Sequence, residues 1–211
     1  MEFIAAITVI PVPRVHAARW SDNKKKFSEF VIDYIPGESL DKAWEKLTHD
    51  QRVATCHQLR GYLSQLRELK GKRIEAPNGA RVTIGLRFPC QCGPFDTEKE
   101  FHDFLVEKDT EKLPPYFKRY TREALRDDHD LHFAHGDFSP RNIMVDETGH
   151  VVSVLDWDRA GWYPEYWDHN RIFSENPGIR DYFPYIHYIL PFNYREEVLA
   201  IGYLLRLTGN A

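Results

Sequence analysis

The sequence predicts an α+β chain in which short β-prone runs at the start and in the middle are set among longer stretches of helical periodicity. Three stretches define that class. Arg14 to Trp20 and Phe27 to Asp33 are apolar-rich runs split by the turn-forming Ser21-Asp22-Asn23-Lys24, the pattern of a β-hairpin with Lys24, Lys25 and Lys26 near a solvated tip. Thr48-His49-Asp50-Gln51 is a T-x-x-Q capping box leading into Val53, Cys56, Leu59, Leu63 and Leu66 at spacings of three and four, which predicts a long amphipathic helix to about Leu69. Between Leu131 and Leu155 the texture returns to short β runs: Leu131 to Ala134, Ile143 to Val145 and Val151 to Leu155.

The remaining elements follow in order. Met1 to Ile10 is apolar but has no basic start and no cleavage site before Pro11 and Pro13, and it is too short to span a bilayer, which takes ~20 apolar residues. Tyr34-Ile35-Pro36-Gly37 ends the hairpin pattern, and helical signals dominate after Ser39. Gly71 to Gly93 is rich in Gly and Pro without a sustained period and reads as an irregular excursion. Thr97-Glu98-Lys99-Glu100 opens a short helix carrying Phe101, Phe104 and Leu105, and Pro114-Pro115 starts another that ends near Asp128. Asp146-Glu147-Thr148-Gly149 is a turn between two of the β runs, and Asn193 with Glu196 starts a last helix through Val198, Ile201, Leu204 and Leu205.

Composition narrows the function classes. With 14% aromatic residues in 211, whole-chain disorder is excluded. The 28 Lys+Arg against 32 Asp+Glu, with no basic block longer than Lys24 to Lys26, leave no polyanion footprint, so neither nucleic acid nor membrane is the expected partner. Cys56, Cys90 and Cys92 are an odd number without a second Cys or His pair for a zinc site, and they read as reduced thiols of a cytoplasmic protein.

The densest polar cluster is His135-Gly136-Asp137-Phe138-Ser139-Pro140-Arg141-Asn142, wedged between two β runs, with Asp156 directly after the third. An Asp and an Asn five residues apart, followed fourteen residues later by an Asp at a strand terminus, is the spacing of a phosphoryl-transfer site. In such a site Asp137 accepts the nucleophile's proton, while Asn142 and Asp156 offer oxygen ligands to Mg²⁺. Asp158 either assists a second metal or caps the following turn, and Arg141 either meets a phosphate or pins the loop. His135 orients the loop through a backbone hydrogen bond, and Asp168 is a structural cap or the partner of a buried basic group. Trp162, Tyr163, Tyr166 and Trp167 form either a substrate wall or, more commonly for such density, core.

His135-Gly136-Asp137-x-x-x-x-Asn142 followed by Leu155-Asp156-Trp157-Asp158 resembles the catalytic and metal-binding segments of the aminoglycoside phosphotransferase family, a branch of the protein-kinase-like fold. Ile10 to Val15, Tyr34 to Leu40, Gly93-Pro94-Phe95, Pro140 to Ile143 and Ala160 to Trp167 are similar to segments of its fungal-type members, in their order. The resemblance implies a helical C-lobe over 38–211, with a catalytic loop at 135–142 and a metal-binding segment at 155–158. It also implies an N-lobe remnant over 1–37, made of a helix end, a β-hairpin and a hinge, with Asp33, Tyr34 and Ile35 lying against an adenine. The implied cofactors are Mg²⁺ and ATP.

In the family a glycine-rich loop, a strand lysine and a partner glutamate precede the hairpin, where this sequence has about thirteen residues. Each preorganised charge aimed at a transition state is worth roughly 10²–10³ in rate. Three functions therefore stand: an ATP- and Mg²⁺-dependent kinase of a small-molecule hydroxyl; a cofactor-free cyclase, dehydratase or isomerase with Asp137 as base; and a non-catalytic binding protein. A homodimer, or Met1 to Ile10 folding back, would cover the surface on which an N-lobe packs.

Overall fold

The computed structural model describes residues 1–20, 27–85, 89–108, 114–174, 179–190 and 192–207. In chain order the first elements are α1 (Glu2–Ile7), β1 (Val15–Trp20), β2 (Phe27–Ile32), β3 (Glu38–Ser39), α2 (Leu40–Ala43), a 3₁₀ turn (Trp44–Lys46) and α3 (His49–Arg67). Then come β4 (Val82–Ile84), β5 (Cys90–Cys92), α4 (Glu98–Glu107), α5 (Pro115–Ala124), β6 (Leu131–Ala134), a 3₁₀ turn (Pro140–Asn142), β7 (Ile143–Val145) and β8 (Val151–Val154). The last are β9 (Gly161–Pro164), α6 (Trp167–Ser174), a 3₁₀ turn (Phe183–Tyr185), α7 (Ile186–Ile189) and α8 (Arg195–Leu207). The turn at Ser21 to Lys24 and the lysines Lys24, Lys25 and Lys26 lie outside the described residues.

By their contacts the residues form two units, the first of Met1–Tyr62, Pro140–Asp156 and Ile179–Ile189. In it β1 and β2 pair antiparallel, with Ala18 opposite Phe30. The base of this hairpin is closed by Asp33, whose amide donates to Arg14 O at 3.0 Å while its carboxylate takes the Arg14 amide at 3.0 Å and His16 Nε2 at 2.6 Å. A second sheet has the order β3-β7-β8, with Ser39 opposite Met144 and Ile143 opposite Val154.

The capping box predicted at Thr48 is present in full: the Thr48 amide donates to Gln51 Oε1 at 2.9 Å and the Gln51 amide to Thr48 Oγ1 at 3.3 Å. From α3, Thr55 Oγ1 donates to Gly149 O at 2.7 Å and Gln58 Oε1 accepts the Val151 amide at 3.0 Å, which pins the β7–β8 hairpin to the helix. The core of the unit includes Leu40, Trp44, Cys56, Leu59, Ile143, Val145 and Val154, all buried. Each large side chain contributes about 1.5–3 kcal/mol on leaving water.

The second unit comprises Leu63–Ser139, Trp157–Gly178 and Leu190–Ala211. Here β6 and β9 pair antiparallel from Leu131 opposite Pro164 to Ala134 opposite Gly161. Helix α4 begins where its T-x-x-E signal predicts, with Thr97 accepting from the Glu100 amide at 3.2 Å and Glu100 Oε2 accepting from the Asp96 amide at 2.9 Å. Its core gathers Ile74, Phe101, Leu105, Tyr163, Tyr166, Trp167, Ile201 and Leu204.

Two expectations are corrected in this unit, and the choice left open for the aromatic residues at 162–167 falls to core at two of them. The stretch read as irregular contains β4 and β5, paired with Val82 opposite Cys92; three residues per strand are too few for a period-two signal. Helix α5 stops at Ala124 rather than near Asp128, because Leu125 turns to an extended conformation and buries its side chain while Arg122 Nη1 donates to its carbonyl at 3.1 Å. Of the four aromatic residues at 162–167, Tyr163 and Tyr166 are fully buried, so they are core. Trp162, on β9, donates from Nε1 to Leu69 O at 3.1 Å.

Candidate functional site

The segment His135-Gly136-Asp137 leaves the end of β6 and is clamped from α6 within the second unit. Asp168, the second residue of α6, accepts the His135 amide at 2.9 Å and the Gly136 amide at 2.8 Å on its two oxygens. One turn on, Arg171 Nε donates to Gly136 O at 3.2 Å. Both clamp residues are buried. Burial pushes the Asp168 carboxyl up to about 6, against the pull of the two amides and of Arg171, and brings the Arg171 guanidinium down to about 10. Gly136 sits at φ +78°, and a Cβ there would run into the carbonyl of Arg159, so this position takes glycine for both reasons.

His135 is fully buried and its ring centroid lies 4.4 Å from that of Trp157. Its Nδ1 accepts the Asp137 amide at 3.2 Å, which leaves the proton of a neutral ring on Nε2. The Asp137 carbonyl accepts the Ser139 amide at 2.8 Å, and the Asp137 side chain is only 2% exposed. The Asp137 backbone is thus fixed by bonds on both sides, and its carboxylate is largely withdrawn from water.

Asn142 and Asp156 belong to the first unit, where the β7–β8 register brings the two ends together. The Leu155 amide donates to Asn142 O at 2.8 Å, so Asp156 is the next residue along from the one bonded to Asn142. Asn142 is buried, whereas Asp156 is exposed and holds φ +61°, a left-handed backbone that costs a non-glycine residue about 1–3 kcal/mol. Such strain concentrates at functional positions.

No cluster of three or more His, Cys, Asp and Glu side chains able to hold a metal occurs among the described residues. A divalent cation at Asn142 and Asp156 would have one amide and one carboxylate from the protein, with phosphate oxygens and water for the rest; this donor set fits Mg²⁺. Asp158 is in the second unit, with its carboxylate exposed and 3.8 Å from Arg159 Nε. Arg141 is exposed on the 3₁₀ turn that also holds Asn142.

At the expected hinge, the Asp33 carboxylate is occupied with Arg14 and His16, whose hydrogen bonds hold it below the usual carboxylate range. Tyr34 is 90% exposed, and Ile35 is half-buried. The sequence reading gave Asp168 only a structural role and passed over Arg171. The available signal was an Asp and an Arg three residues apart on one helix face.

The thiols carry no site: Cys56, Cys90 and Cys92 are free, and burial pushes Cys56 and Cys92 up to about 12. No helix among the described residues is long and apolar enough to cross a membrane.

The model of the phosphotransferase enzyme family matches residues 1–184. No curated protein matches the sequence. Among solved structures, the GDP and kanamycin complex of APH(2")-IIia superposes with a TM-score of 0.64 at 13% identity, over 99% of this chain and 69% of that one. A thermostable mutant of aminoglycoside phosphotransferase APH(4)-Ia, solved with ADP and hygromycin B, gives 0.61 at 15% identity, over 98% and 73%. Aminoglycoside-3'-phosphotransferase of type VIII gives 0.58 at 19% identity, over 98% and 77%. At these identities the likeness is one of fold.

Proposed function

This chain belongs to the phosphotransferase enzyme family, and from that premise we propose that it transfers the terminal phosphoryl group of a nucleoside triphosphate to a hydroxyl of a small molecule. The observation that carries the reading is the adjacency of two oxygen-bearing residues, Asn142 and Asp156, at the joined ends of β7 and β8 in the first unit; in the second unit the buried Asp137 sits on a backbone bonded on both sides. The neighbours solved with ADP and with GDP support a nucleotide as the donor.

Asp137 takes the proton of the acceptor hydroxyl as its oxygen bonds to phosphorus, while the bridging P–O bond breaks and the nucleoside diphosphate leaves. Asn142 and Asp156 would hold a Mg²⁺ ion, which would supply neutralisation of charge on the phosphates. Arg141, on the same turn as Asn142, adds a cation for a phosphate oxygen. The clamp of Asp168 and Arg171 keeps the backbone before Asp137 in one conformation, so the base is positioned before substrate arrives. Tyr34 and Ile35 present backbone to the base of the nucleotide, since the Asp33 amide and carboxylate are already bonded.

The test is calorimetric titration of the chain with a non-hydrolysable ATP or GTP analogue, with and without Mg²⁺, followed by transfer assays with labelled nucleotide. Binding that requires Mg²⁺ and is lost in Asn142→Ala is expected, together with a fall of ~10²–10⁴ in kcat for Asp137→Asn at unchanged nucleotide affinity. Absence of binding at millimolar nucleotide, or full activity in Asp137→Asn, would overturn the reading.

A further inference from the structure

Arg159 belongs to the second unit, and its backbone is packed against the loop that carries Asp137. Its carbonyl accepts Tyr163 Oη at 3.0 Å, and its carbonyl oxygen and Cβ are among the atoms that a Cβ on Gly136, one residue before Asp137, would meet. The side chain is only 14% exposed, yet no hydrogen bond joins its guanidinium to the described residues, and Nη1 is shut off from solvent without a partner. Its ion-pair contact is the exposed carboxylate of Asp158, 3.8 Å from Nε and beyond hydrogen-bonding distance.

Other arginines of the same unit are held differently. Arg67 and Arg122 each reach a carboxylate at 2.6 Å, and Arg171 donates to Gly136 O. An enclosed cation without such a partner destabilises the fold until an anion meets it. The charges of Arg159 and Asp137 act with opposite sign on one group, Arg171, which sets this cation in the neighbourhood of the base.

We propose that Arg159 is an oxyanion-binding residue whose guanidinium donates hydrogen bonds to a non-bridging oxygen of the phosphoryl group as that group passes to the acceptor hydroxyl at Asp137. The inference rests on the phosphoryl-transfer reading. Arg159 gives up no proton: the hydroxyl proton goes to Asp137, and the electron pair of the broken bridging P–O bond leaves with the nucleoside diphosphate. What Arg159 supplies is a fixed charge and fixed N–H donors where the moving group is most anionic.

Two measurements on the full chain test it. The first is thermal melting of the parent and of Arg159→Met, with and without ~50 mM inorganic phosphate at matched ionic strength. Arg159→Met is expected to melt above the phosphate-free parent, because it removes an enclosed cation, and phosphate is expected to raise the melting temperature of the parent alone. The second is turnover of labelled nucleotide, in which Arg159→Met should lose ~10²–10³ in kcat at unchanged nucleotide affinity, with part recovered in Arg159→Lys. Four results each overturn the proposal: a lower melting temperature for Arg159→Met, no effect of phosphate on the parent, equal phosphate stabilisation of both chains, or equal turnover of both. A parent whose stabilisation by phosphate is lost in Arg159→Met, but which moves no labelled phosphate from ATP or GTP to an alcohol or to water, refutes the phosphoryl-transfer reading and leaves Arg159 as an oxyanion site.

Discussion

Two glycines should respond in opposite directions to the same added methyl group. At Gly136 the backbone has φ +78°, which costs an L-residue about 1–2 kcal/mol, and the new Cβ would overlap the Arg159 carbonyl oxygen and sit 3.0 Å from Arg159 C and Cβ. Those atoms are backbone or next to it and cannot swing aside, so relieving the contact costs about 1–3 kcal/mol more. The sum for Gly136→Ala is a destabilisation of about 2–5 kcal/mol, or a fall in melting temperature of about 4–20 °C. Gly61 lies inside α3, where an added Cβ meets nothing within 4 Å. Gly61→Ala should therefore stabilise, by about 0.5–1 kcal/mol, through helix propensity and a less disordered unfolded chain. Thermal melts followed by circular dichroism, with turnover measured in parallel, give both numbers. If Gly136→Ala melts within about 2 °C of the parent and turns over normally, the account of the loop as sterically fixed is wrong.

Other substitutions probe other parts of the molecule. Asp156→Gly should raise stability by relieving the φ +61° backbone while abolishing Mg²⁺-dependent nucleotide binding; loss of both would show that the strain is not stored there. His129 faces Glu98 Oε1 at 2.8 Å and Glu197 Oε1 at 3.1 Å, with Arg126 also within reach. Burial lowers its pKa, but the Glu98 hydrogen bond and the charges of Glu98 and Glu197 outweigh that and raise it above 6.5. Because the folded value is raised, the stabilisation is fully present below 6.5 and is lost as pH rises through the folded value. Urea melts of His129→Ala should show a cost of about 3–5 kcal/mol at acid pH that shrinks in alkali, and a pH-independent cost would refute the ion pairing. Arg67 reaches Glu165 O at 2.8 Å, Glu165 Oε2 at 2.6 Å and Tyr194 Oη at 3.0 Å, so Arg67→Lys should cost about 1–3 kcal/mol in the same assay despite keeping the charge. Thiol labelling of the folded chain should modify Cys90 first, and rapid reaction at Cys56 or Cys92 would contradict their burial.

What the sequence made legible was local. Thr48 with Gln51, and Thr97 with Glu100, mark two helix starts because a capping box is completed within four residues. The hairpin strands, the runs that became β6, β7 and β8, and the spacing of Asp137, Asn142 and Asp156 could be read for the same reason. What escaped depends on distant partners. Strand β9 exists because β6 lies beside it, about thirty residues earlier, and its aromatic composition alone reads equally as core or pocket wall. Strands β4 and β5 are each too short to show alternation. The Asp168 clamp on the loop joins residues 33 apart, so an acidic residue early in a helix read as a cap or as the partner of a buried basic group.

The sheet flanked by Asn142 and Asp156 also sets a timetable for synthesis. Ser39 of β3 pairs with Met144 of β7, about 105 residues later in the chain. A ribosome adding ~5–20 residues per second makes the second strand roughly 5–20 s after the first. During that interval the backbone groups of Glu38 and Ser39 have no β7 to pair with, and β3, at two residues, is too short to recruit a foreign strand. The brevity of β3 thus guards the nascent chain against mispairing.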